Sequence, residues 1–359
     1  MKKIAVLGGS GAIGKRTVDI LKKEYLVKAS YYSRPKDSDA NCSYVRVDIS
    51  NLDEIRSFLA DCDAVINCAG ASYINGEKIA REAENLHIPY IDPSGEAFLE
   101  NKLKDIEQND VYVLSSGYYP GMSGLLMKYI CELFDIPETI NGFCVSEEVP
   151  SKSAIEDFVL TNLSGFGVAL NYYEKGEVKK DSVEQIEIIH NNVYKMQNYL
   201  SVEVERIAKE YDLKKANWYN VSFGETIIKK LQEAVVAIKL GQESYQKIIE
   251  EVISLFDKKM ENMKQFTYIR AEGQGYQDGR NIKKRIELEG GCSSVISAII
   301  AAKTAKTVLE FPMRNGIYYA MDIIDFEEMI RELPDYGVKI TLKDTELNIY
   351  DVKYEEGSI

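Results

Sequence analysis

The chain has 359 residues, of which 45% are hydrophobic and 28% are charged, and it carries a formal net charge of −13. This composition is ordinary for a compact globular protein, and the length predicts about two domains. The acidic balance argues against a nucleic-acid partner and against an anionic membrane surface, because both would repel it. A solvated acidic surface is favoured over a cationic substrate as the reason for the charge.

The six cysteines and two histidines are scattered without metal-binding spacing, so we predict no zinc site. The beginning of the chain lacks the apolar core and cleavage site of a signal peptide. The longest uncharged run, residues 111–127, contains several glycines and a proline and falls short of the ~20 apolar residues of a membrane span. We therefore expect a cytoplasmic protein with reduced thiols and no membrane partner.

The first predicted element is a strand at residues 4–7, which runs into a glycine-rich turn and a helix that extends to about Lys23. The spacing Gly9-x-Gly11-x-x-Gly14 is typical of a loop that holds the pyrophosphate of a dinucleotide at a helix start. An ordinary tight turn before a helix is the alternative. The residues predicted to bind the pyrophosphate are Gly8, Gly9, Ser10, Gly11, Ala12, Ile13 and Gly14.

A second strand is predicted at residues 27–32, and its end is the position where the adenosine ribose is recognised. An acidic residue there would accept a hydrogen bond from the 2′-hydroxyl of NAD. This chain has Ser33, Arg34 and Lys36 instead, which suit a 2′-phosphate. The pattern favours NADP(H) over NAD(H), the alternative being that these side chains only decorate a loop.

The third and fourth strands are predicted at residues 44–48 and 64–70, with a helix between them that Ser50 caps. Ligands of doubly wound sheets lie over the carboxyl ends of the strands. We therefore expect Asp48 to meet the adenine. The residues expected to border the nicotinamide half are Asn67, Cys68, Ala69 and Gly70.

Two further strands are predicted at residues 90–92 and 111–114, each followed by a polar or glycine-rich turn and a helix. Six strands alternating with helices predict an α/β fold with a doubly wound parallel sheet of the Rossmann type. Ser94 is expected to lie beside the cofactor, and Asp92 and Tyr119 are candidates for catalysis on the turns after these strands.

The pattern changes beyond about residue 125, where strands and longer helices predict a second α+β domain for substrate binding or dimerisation. The predicted strands are 140–149, 183–190, 216–224, 266–276 and 282–289, and the predicted helices are 201–211, 225–238 and 243–261. We expect one sheet with helices on one side. Residues 338–350 alternate as in a terminal hairpin with its turn at Lys343 and Asp344.

Five stretches carry a family resemblance, namely residues 8–14, 47–54, 64–70, 90–96 and 116–126. In this order they resemble the NADP-binding half of the saccharopine dehydrogenase-like (saccharopine reductase-type) oxidoreductases. The resemblance implies hydride transfer at a C=N or C–N bond of an amino-acid-derived substrate. It also implies that the nucleotide domain, residues 1–125, is completed by a return segment at about 292–335, which leaves a substrate domain at 126–291 and a tail at 336–359. A homodimer is expected if the second domain has an exposed apolar face.

The catalytic candidates are Tyr119, Asp92 and His190, with Arg270 and Arg280 as possible partners of a substrate carboxylate. Each of the three also has a non-catalytic interpretation: the tyrosine could pack or stack in the core, the aspartate could cap a turn and the histidine could be structural.

Two other functions stay open at this point. A short-chain carbonyl reductase needs Tyr-x-x-x-Lys on a helix, and Tyr32/Lys36 and Tyr211/Lys215 have that spacing. A non-catalytic NADP-binding redox sensor would bind the cofactor without turnover.

Overall fold

The computed structural model describes residues 1–105, 109–161, 167–242 and 245–346. Its elements are numbered along the chain. The strands are β1 (Lys3–Leu7), β2 (Leu26–Tyr31), β3 (Cys42–Arg46), β4 (Ala64–Asn67), β5 (Tyr90–Ile91), β6 (Val111–Leu114), β7 (Ile136–Glu147), β8 (Gly167–Ala169), β9 (Asn171–Glu174), β10 (Glu177–Lys180), β11 (Gln185–Ile189), β12 (Asn192–Ser201), β13 (Lys215–Val221), β14 (Phe266–Gln277), β15 (Arg280–Gly290), β16 (Gly316–Tyr319) and β17 (Lys339–Glu346).

The helices are numbered in the same way, and a short 3₁₀ helix follows the last of them at Leu333–Tyr336. They are α1 (Ala12–Leu21), α2 (Leu52–Leu59), α3 (Ser72–Leu86), α4 (Ala97–Leu103), α5 (Met122–Glu132), α6 (Lys152–Thr161), α7 (Val202–Glu210), α8 (Glu225–Lys239), α9 (Tyr245–Met260), α10 (Ser293–Glu310), α11 (Ala320–Ile323) and α12 (Phe326–Glu332). No helix among the described residues is long and apolar enough to cross a membrane.

The first sheet is parallel throughout and has the strand order β16-β6-β5-β4-β1-β2-β3. Strand order reverses between β1 and β4, which is the switch point where doubly wound sheets bind their ligands. Fully buried strands such as β1 and β4 explain the uncharged runs of the sequence, since helices cover both faces of the sheet. The predicted Rossmann fold is confirmed.

The second sheet is mixed and has the order β10-β9-β13-β7-β14-β15-β17, with the β11–β12 hairpin and β8 attached beyond β13. Helices α5 and α7 pack on one face of this sheet, and the β11–β12 hairpin covers part of the other. The second α+β domain predicted from the sequence is therefore present.

The two sheets are joined by a shared hydrophobic core and by a late segment of the chain. Trp218 and Ile269 of the second sheet belong to the same cluster as Ile300 of α10. Helix α10 packs against α1 and β4, and β16 pairs with β6 at the edge of the first sheet. The small side chains of α10 permit this, because the helix is buried on most sides over its first thirteen residues.

Several sequence expectations are wrong in detail. Asn51, not Ser50, caps α2, since its side chain accepts hydrogen bonds from the amides of Asp53 and Glu54. Residues 339–346 form one strand along β15, so the turn expected at Lys343 and Asp344 does not exist there. The alternating pattern fitted one long edge strand equally well. The rest of the expected hairpin, residues 347–359, lies outside the described residues.

Helices α8 and α9 also depart from expectation, because they do not cover the sheet. They pack on each other and on α6 in a separate apolar cluster built around Ile155, Leu231 and Val252. The sequence did not predict α6, β12 or the short strands β8 to β10. The helices α8 and α9 were predictable from local periodicity, whereas their packing on each other depends in part on α6, which was not predicted.

Candidate active site

The turn after β1 is shaped so that only glycine fits at two of its positions. Gly8 has φ +71°, and a Cβ atom on it would lie 2.3 Å from the carbonyl oxygen of Cys68. A Cβ atom on Gly14 would lie 2.2 Å from the Gly8 oxygen. The loop is held from below by Ser30, whose hydroxyl accepts a hydrogen bond from the Gly8 amide at 2.8 Å. The glycine spacing therefore reflects backbone packed against backbone at the switch point.

Helix α1 starts at Ala12, directly after this turn, and its first turn has no capping side chain. Ser10 and Gly11 are partly exposed, and the amide of Gly11 turns inward to the Gly8 oxygen at 2.9 Å. The first amides of a helix have no intrahelical acceptor, so an uncapped helix start favours an anion. Close backbone approach and open amides fit a dinucleotide pyrophosphate, with Ala12 and Ile13 in the first helical turn.

Ser33 and Arg34 lie exposed immediately after β2, next to the glycine turn. Among the described residues Arg34 makes no ion pair, so its guanidinium is available to a ligand. The sequence analysis missed a second cation here: the guanidinium of Arg46 lies 5.0 Å from the ring centroid of Tyr32. A basic residue at the end of the neighbouring strand was the signal that could have found it.

Asp48 lies beyond the end of β3 and is half-buried. Its carboxylate accepts hydrogen bonds from the amide of Ser50 at 2.9 Å and from the Ser50 hydroxyl at 2.7 Å. These bonds lower the pKa of Asp48 below its ordinary value. Its charge thus stabilises the turn before α2, and whether it also meets an adenine stays a prediction.

The end of β4 borders the glycine turn. The Asn67 amide group donates to the Tyr90 hydroxyl at 3.0 Å, and its oxygen accepts from the Ala69 amide at 3.2 Å. Burial raises the pKa of the Cys68 thiol to about 12, so this cysteine is a neutral lining group. Gly70 has φ +66°, which lets the chain turn directly into α3.

Asp92 has no exposed surface and accepts five hydrogen bonds. The donors are the Ser72 hydroxyl at 2.6 Å, the Tyr90 hydroxyl at 2.5 Å, the Asn67 amide at 3.3 Å, and the backbone amides of Ser94 at 2.9 Å and Gly95 at 2.8 Å. Both carboxylate oxygens are therefore engaged inside the chain. This arrangement ties the ends of β4 and β5 and the start of α3 into one unit.

A second carboxylate enters this region from the other domain and was missed by the sequence analysis. Asp157 of α6 accepts hydrogen bonds from the amides of Ser72 and Tyr73, both at 3.1 Å, and also bonds Ser94. Burial raises the pKa of Asp157 to about 7. No local pattern could have shown it, because α6 itself was not predicted.

Tyr119 lies on the turn after β6, where the first sheet meets the second. Its hydroxyl donates to the side-chain oxygen of Asn220 at 2.9 Å, and its ring stacks on Trp218 with centroids 5.3 Å apart. Burial raises the pKa of Tyr119 well above its ordinary value, so the hydroxyl keeps its proton. The neighbouring Tyr118 is fixed by its own hydroxyl, which donates to the carbonyl oxygen of Tyr268 at 2.9 Å.

His190 lies on the turn between β11 and β12, and about half of its side chain is exposed. Its Nε2 atom is 3.3 Å from a carboxylate oxygen of Glu289, and its ring contacts the edge of Phe266. No contact joins it to Asp92 or Tyr119. The structure therefore does not bring the three predicted catalytic residues together.

The two candidate arginines lie apart from the glycine turn as well. Arg270 is paired with Glu187 and with Glu272, and it lines a cavity of about 190 Å³ on the open face of the second sheet. Arg280 is exposed at the β14–β15 turn. In this turn the backbone amide of Asp278 donates to the carboxylate of Asp135, which precedes β7 at the end far from the glycine turn. Neither position suits a partner for a substrate at the glycine turn.

The geometry of a short-chain carbonyl reductase is not found at either Tyr-x-x-x-Lys match. Tyr32 and Lys36 lie in an exposed turn and not on a helix. Tyr211 ends α7, and Lys215 begins β13 with its ammonium 4.8 Å from the ring of Tyr172. Among the described residues there is also no group of three or more histidine, cysteine or acidic side chains that could hold a metal ion.

Comparison with known proteins agrees with this geometry. Residues 4–89 match the NAD dependent epimerase/dehydratase family model, a range that contains the glycine turn, the end of β2 and the end of β4. The match ends before the Asp92 turn and covers less than half of the chain. No curated protein sequence matches the chain.

Among solved structures, the chain is similar to apo saccharopine dehydrogenase (L-Glu forming) from Saccharomyces cerevisiae, with 13% sequence identity and a TM-score of 0.64. That similarity covers 96% of this chain and 100% of the other. Uronate dehydrogenase from Agrobacterium tumefaciens is similar over 26% of this chain and 40% of its own, with 18% identity and a TM-score of 0.24. The chain thus has the fold of saccharopine dehydrogenase, and its residues 4–89 resemble a family of NAD dependent enzymes.

Proposed function

We propose that this protein is an NADPH-dependent oxidoreductase that transfers a hydride at a C=N or C–N bond, in an imine or secondary amine derived from an amino acid. The observation that carries the proposal is the glycine turn at the switch point of a fold shared with saccharopine dehydrogenase over 96% of the chain. The five sequence stretches that resemble that family lie around this point.

The chain's own residues bind and orient the cofactor in this proposal. The turn Gly8–Gly14 and the start of α1 hold the pyrophosphate, while Ser33 and Arg34 hold the 2′-phosphate of the adenosine. The residues from Asn67 to Gly70, together with Ser94, border the nicotinamide. A bound nicotinamide supplies or accepts the hydride, and the protein has to position the substrate and hold one proton.

Tyr119 is the residue that we propose for the proton. Its hydroxyl stays protonated and already donates to Asn220 from the other domain, so a substrate nitrogen or carboxylate could replace that acceptor. An iminium is already electrophilic, so a strong acid is unnecessary for this reaction. Asp92 holds the turn after β5 in position, because both of its carboxylate oxygens already accept hydrogen bonds. A catalytic role of His190 stays a prediction.

A homodimer belongs to the proposal. The outward face of the β11–β12 hairpin exposes Ile186 at 61%, Ile188 at 69% and Val193 at 63%. Three large apolar side chains on a hairpin at the rim of a sheet suit a protein contact. Sedimentation velocity measures the association state directly.

The reaction class is tested by incubating the protein with NADPH and a panel of keto-acid and amine pairs, followed by mass spectrometry. Secondary-amine products that carry deuterium from labelled NADPH are the expected result. Carbonyl or enoyl reduction alone would contradict the proposal, and tight NADPH binding without any product would favour the redox sensor.

The cofactor preference is tested by Arg34→Asp, with Arg314→Asp as the matched control. Arg314 is exposed at the opposite edge of the same sheet, before β16, so the control makes the same charge change far from the site. We expect Arg34→Asp to raise the Kd for NADPH by about 10- to 100-fold, as loss of a charge-assisted phosphate contact does, and to leave NADH binding nearly unchanged. Equal effects of the two variants on NADPH binding would rule out a 2′-phosphate contact.

A further inference from the structure

Two buried carboxyl groups from different domains lie close enough behind the turn that carries Tyr119 to interact electrostatically, without a hydrogen bond between them. Glu96 occupies the N-cap position of α4 in the first domain without a capping hydrogen bond from its side chain, and Glu203 lies in the first turn of α7 in the second domain. Both side chains have 0% exposure. Neither is used by the function proposed above.

The two carboxyl groups have very different partners. Glu203 accepts hydrogen bonds from the Gly121 amide at 3.0 Å and from the Ser123 hydroxyl at 2.5 Å, so it holds the start of α5. Neither oxygen of Glu96 has a hydrogen-bond partner among the described residues. A buried carboxylate ion without donors is costly, whereas a neutral carboxylic acid is much less so.

The charged and titratable groups around Glu96 do not compensate for a charge on it. They are Glu203 of α7, Glu100 of α4, Tyr119 of the turn, Tyr199 of β12 and Tyr319 of β16, and Arg206 of α7 lies beside Glu203. Arg206, the cation of this set, pairs with Asp322 and stacks on Tyr319. Glu100 accepts from the Tyr319 hydroxyl at 2.8 Å, which leaves Glu96 facing two other carboxyl groups.

Electrostatics follows from this placement. Burial, with Glu203 and Glu100 nearby, raises the pKa of Glu96 well above its ordinary value. Burial also raises the pKa of Glu203 to about 7, against the opposing effect of the Ser123 and Gly121 hydrogen bonds. Two close carboxyl groups in a dry site cannot both ionise readily, so the one with donors keeps the charge.

We propose that Glu96 and Glu203 form a one-proton carboxyl pair in which Glu96 holds the proton and the Glu203 carboxylate positions the turn of residues 117–124. The pair thereby acts as a positioning device for Tyr119, and this last step rests on the proposed function. Gly121, with φ +126°, and Gly124 allow the approach, because a Cβ atom on Gly124 would lie 2.7 Å from Glu203 Oε1. Protonation of Glu203 would weaken its bonds to α5 and loosen the turn.

The pair has a defined effect on stability. In the unfolded chain both carboxyl groups are ionised at neutral pH, whereas the native protein retains at least one proton. Stability from a raised pKa is present at acid pH and is lost as the pH rises through the folded pKa. Urea denaturation midpoints of the wild type should therefore fall between pH 6 and pH 8 through this pair.

The test compares Glu96→Gln with Glu82→Gln in the full chain. Glu82 is a buried glutamate of the same domain whose oxygens bind Arg56 at 2.9 and 3.2 Å. At pH 8 we expect Glu96→Gln to raise the urea midpoint and to reduce by about one the protons released on unfolding. Glu82→Gln should lower the midpoint and leave proton release unchanged.

Infrared difference spectra supply a readout that does not depend on turnover. Glu96→Gln should remove one protonated carboxyl band at pH 8, and Glu203→Gln should remove none at that pH. If the Glu96→Gln spectrum loses no such band, or if its proton release matches the wild type, the carboxyl pair is wrong. Should Glu96→Gln fail to fold, spectra of the wild type and of Glu203→Gln still test the pair. Both proteins contain Glu96, so both must show a protonated carboxyl band at pH 8.

Activity separates this inference from the proposed function. With a turned-over substrate, Glu203→Gln should lower kcat and remove its acid limb, because that limb follows protonation of the Glu203 carboxylate. Glu96→Gln should keep the acid limb, since it replaces one neutral group by another, and KM for NADPH should stay unchanged in both variants. If no substrate is turned over, the spectra and proton release still test the pair. Loss of the carboxyl band in Glu96→Gln together with an unchanged kcat profile in Glu203→Gln would overturn the link to Tyr119.

Discussion

Asp92 and Glu96 lie four residues apart on one turn, both have carboxyl groups without any exposed surface, and their surroundings are opposite. Asp92 accepts five hydrogen bonds, and Glu96 accepts none. The difference shows that burial alone does not define the role of an acidic residue. Donors replace the lost hydration of Asp92 and make it a structural tie, whereas Glu96 must carry a proton to be tolerated.

The largest effect is expected from Asp92→Ala. Removing this carboxylate leaves two hydroxyls, one amide and two backbone N–H groups without their acceptor, so the free energy of unfolding should fall by about 3 to 5 kcal/mol. Urea denaturation followed by circular dichroism measures it. Because Glu96→Gln is expected to raise stability at pH 8, a change of the same sign and size in both variants would abolish the distinction between the two carboxyl groups.

Asp157 is the intermediate case, because it has donors and yet its pKa is raised to about 7. Its protonated form is favoured by folding, so its contribution to stability is lost as the pH rises from about 4 through 7. Asp157→Asn should reduce the fall in unfolding free energy between pH 5 and pH 8, by up to about 1.4 kcal/mol per pH unit.

Asp63→Asn is the control for that experiment. Asp63 also accepts a hydrogen bond from a backbone amide, that of Lys3 at 2.7 Å, and its pKa is lowered instead of raised. Its contribution is lost only in acid, below the measured range. The slope between pH 5 and pH 8 should therefore be unchanged, and an equal change in both aspartate variants would contradict the assignment to Asp157.

The smallest effect is expected from Tyr90→Phe, which removes one donor from Asp92 and keeps the ring. We expect the free energy of unfolding to fall by about 1 to 2 kcal/mol. Tyr112→Phe is the matched control, since that ring lies beside Tyr90, is equally buried and has a hydroxyl without a partner among the described residues. It should be neutral or slightly stabilising in urea denaturation. A costlier Tyr112→Phe would reverse the argument.

The first half of the chain was predictable because its signals are local. The glycine spacing, the uncharged strands and the alternation of strands with helices all act over fewer than thirty residues, and each led to the correct element. Errors there were confined to element ends, such as the cap at Asn51. The position of Arg34 after β2 was likewise readable from the chain order alone.

The residues that close the site were not predictable in the same way. Three of these residues reach the first domain from elements of the second, namely Asp157 from α6, Glu203 from α7 and Asn220 from β13. Each forms a hydrogen bond with a residue that lies 80 to 101 positions away in the sequence. Nothing in their neighbouring residues distinguishes them from ordinary surface acids and amides. His190 and Arg270 were chosen on residue type alone, and the structure places His190 beside Glu289 and pairs Arg270 with Glu187 and Glu272.

The late return of the chain has a consequence for synthesis on the ribosome. Strand β6 cannot pair with β16 until the late segment of the chain has been synthesised. The Tyr118 amide likewise lacks its acceptor, the hydroxyl of Ser297, until 179 further residues have been added. The first sheet therefore cannot be completed while the second domain is still being translated. Until α10 emerges, the apolar surface of α1 that it covers stays exposed to solvent, and exposed apolar surface of this kind favours aggregation of a nascent chain.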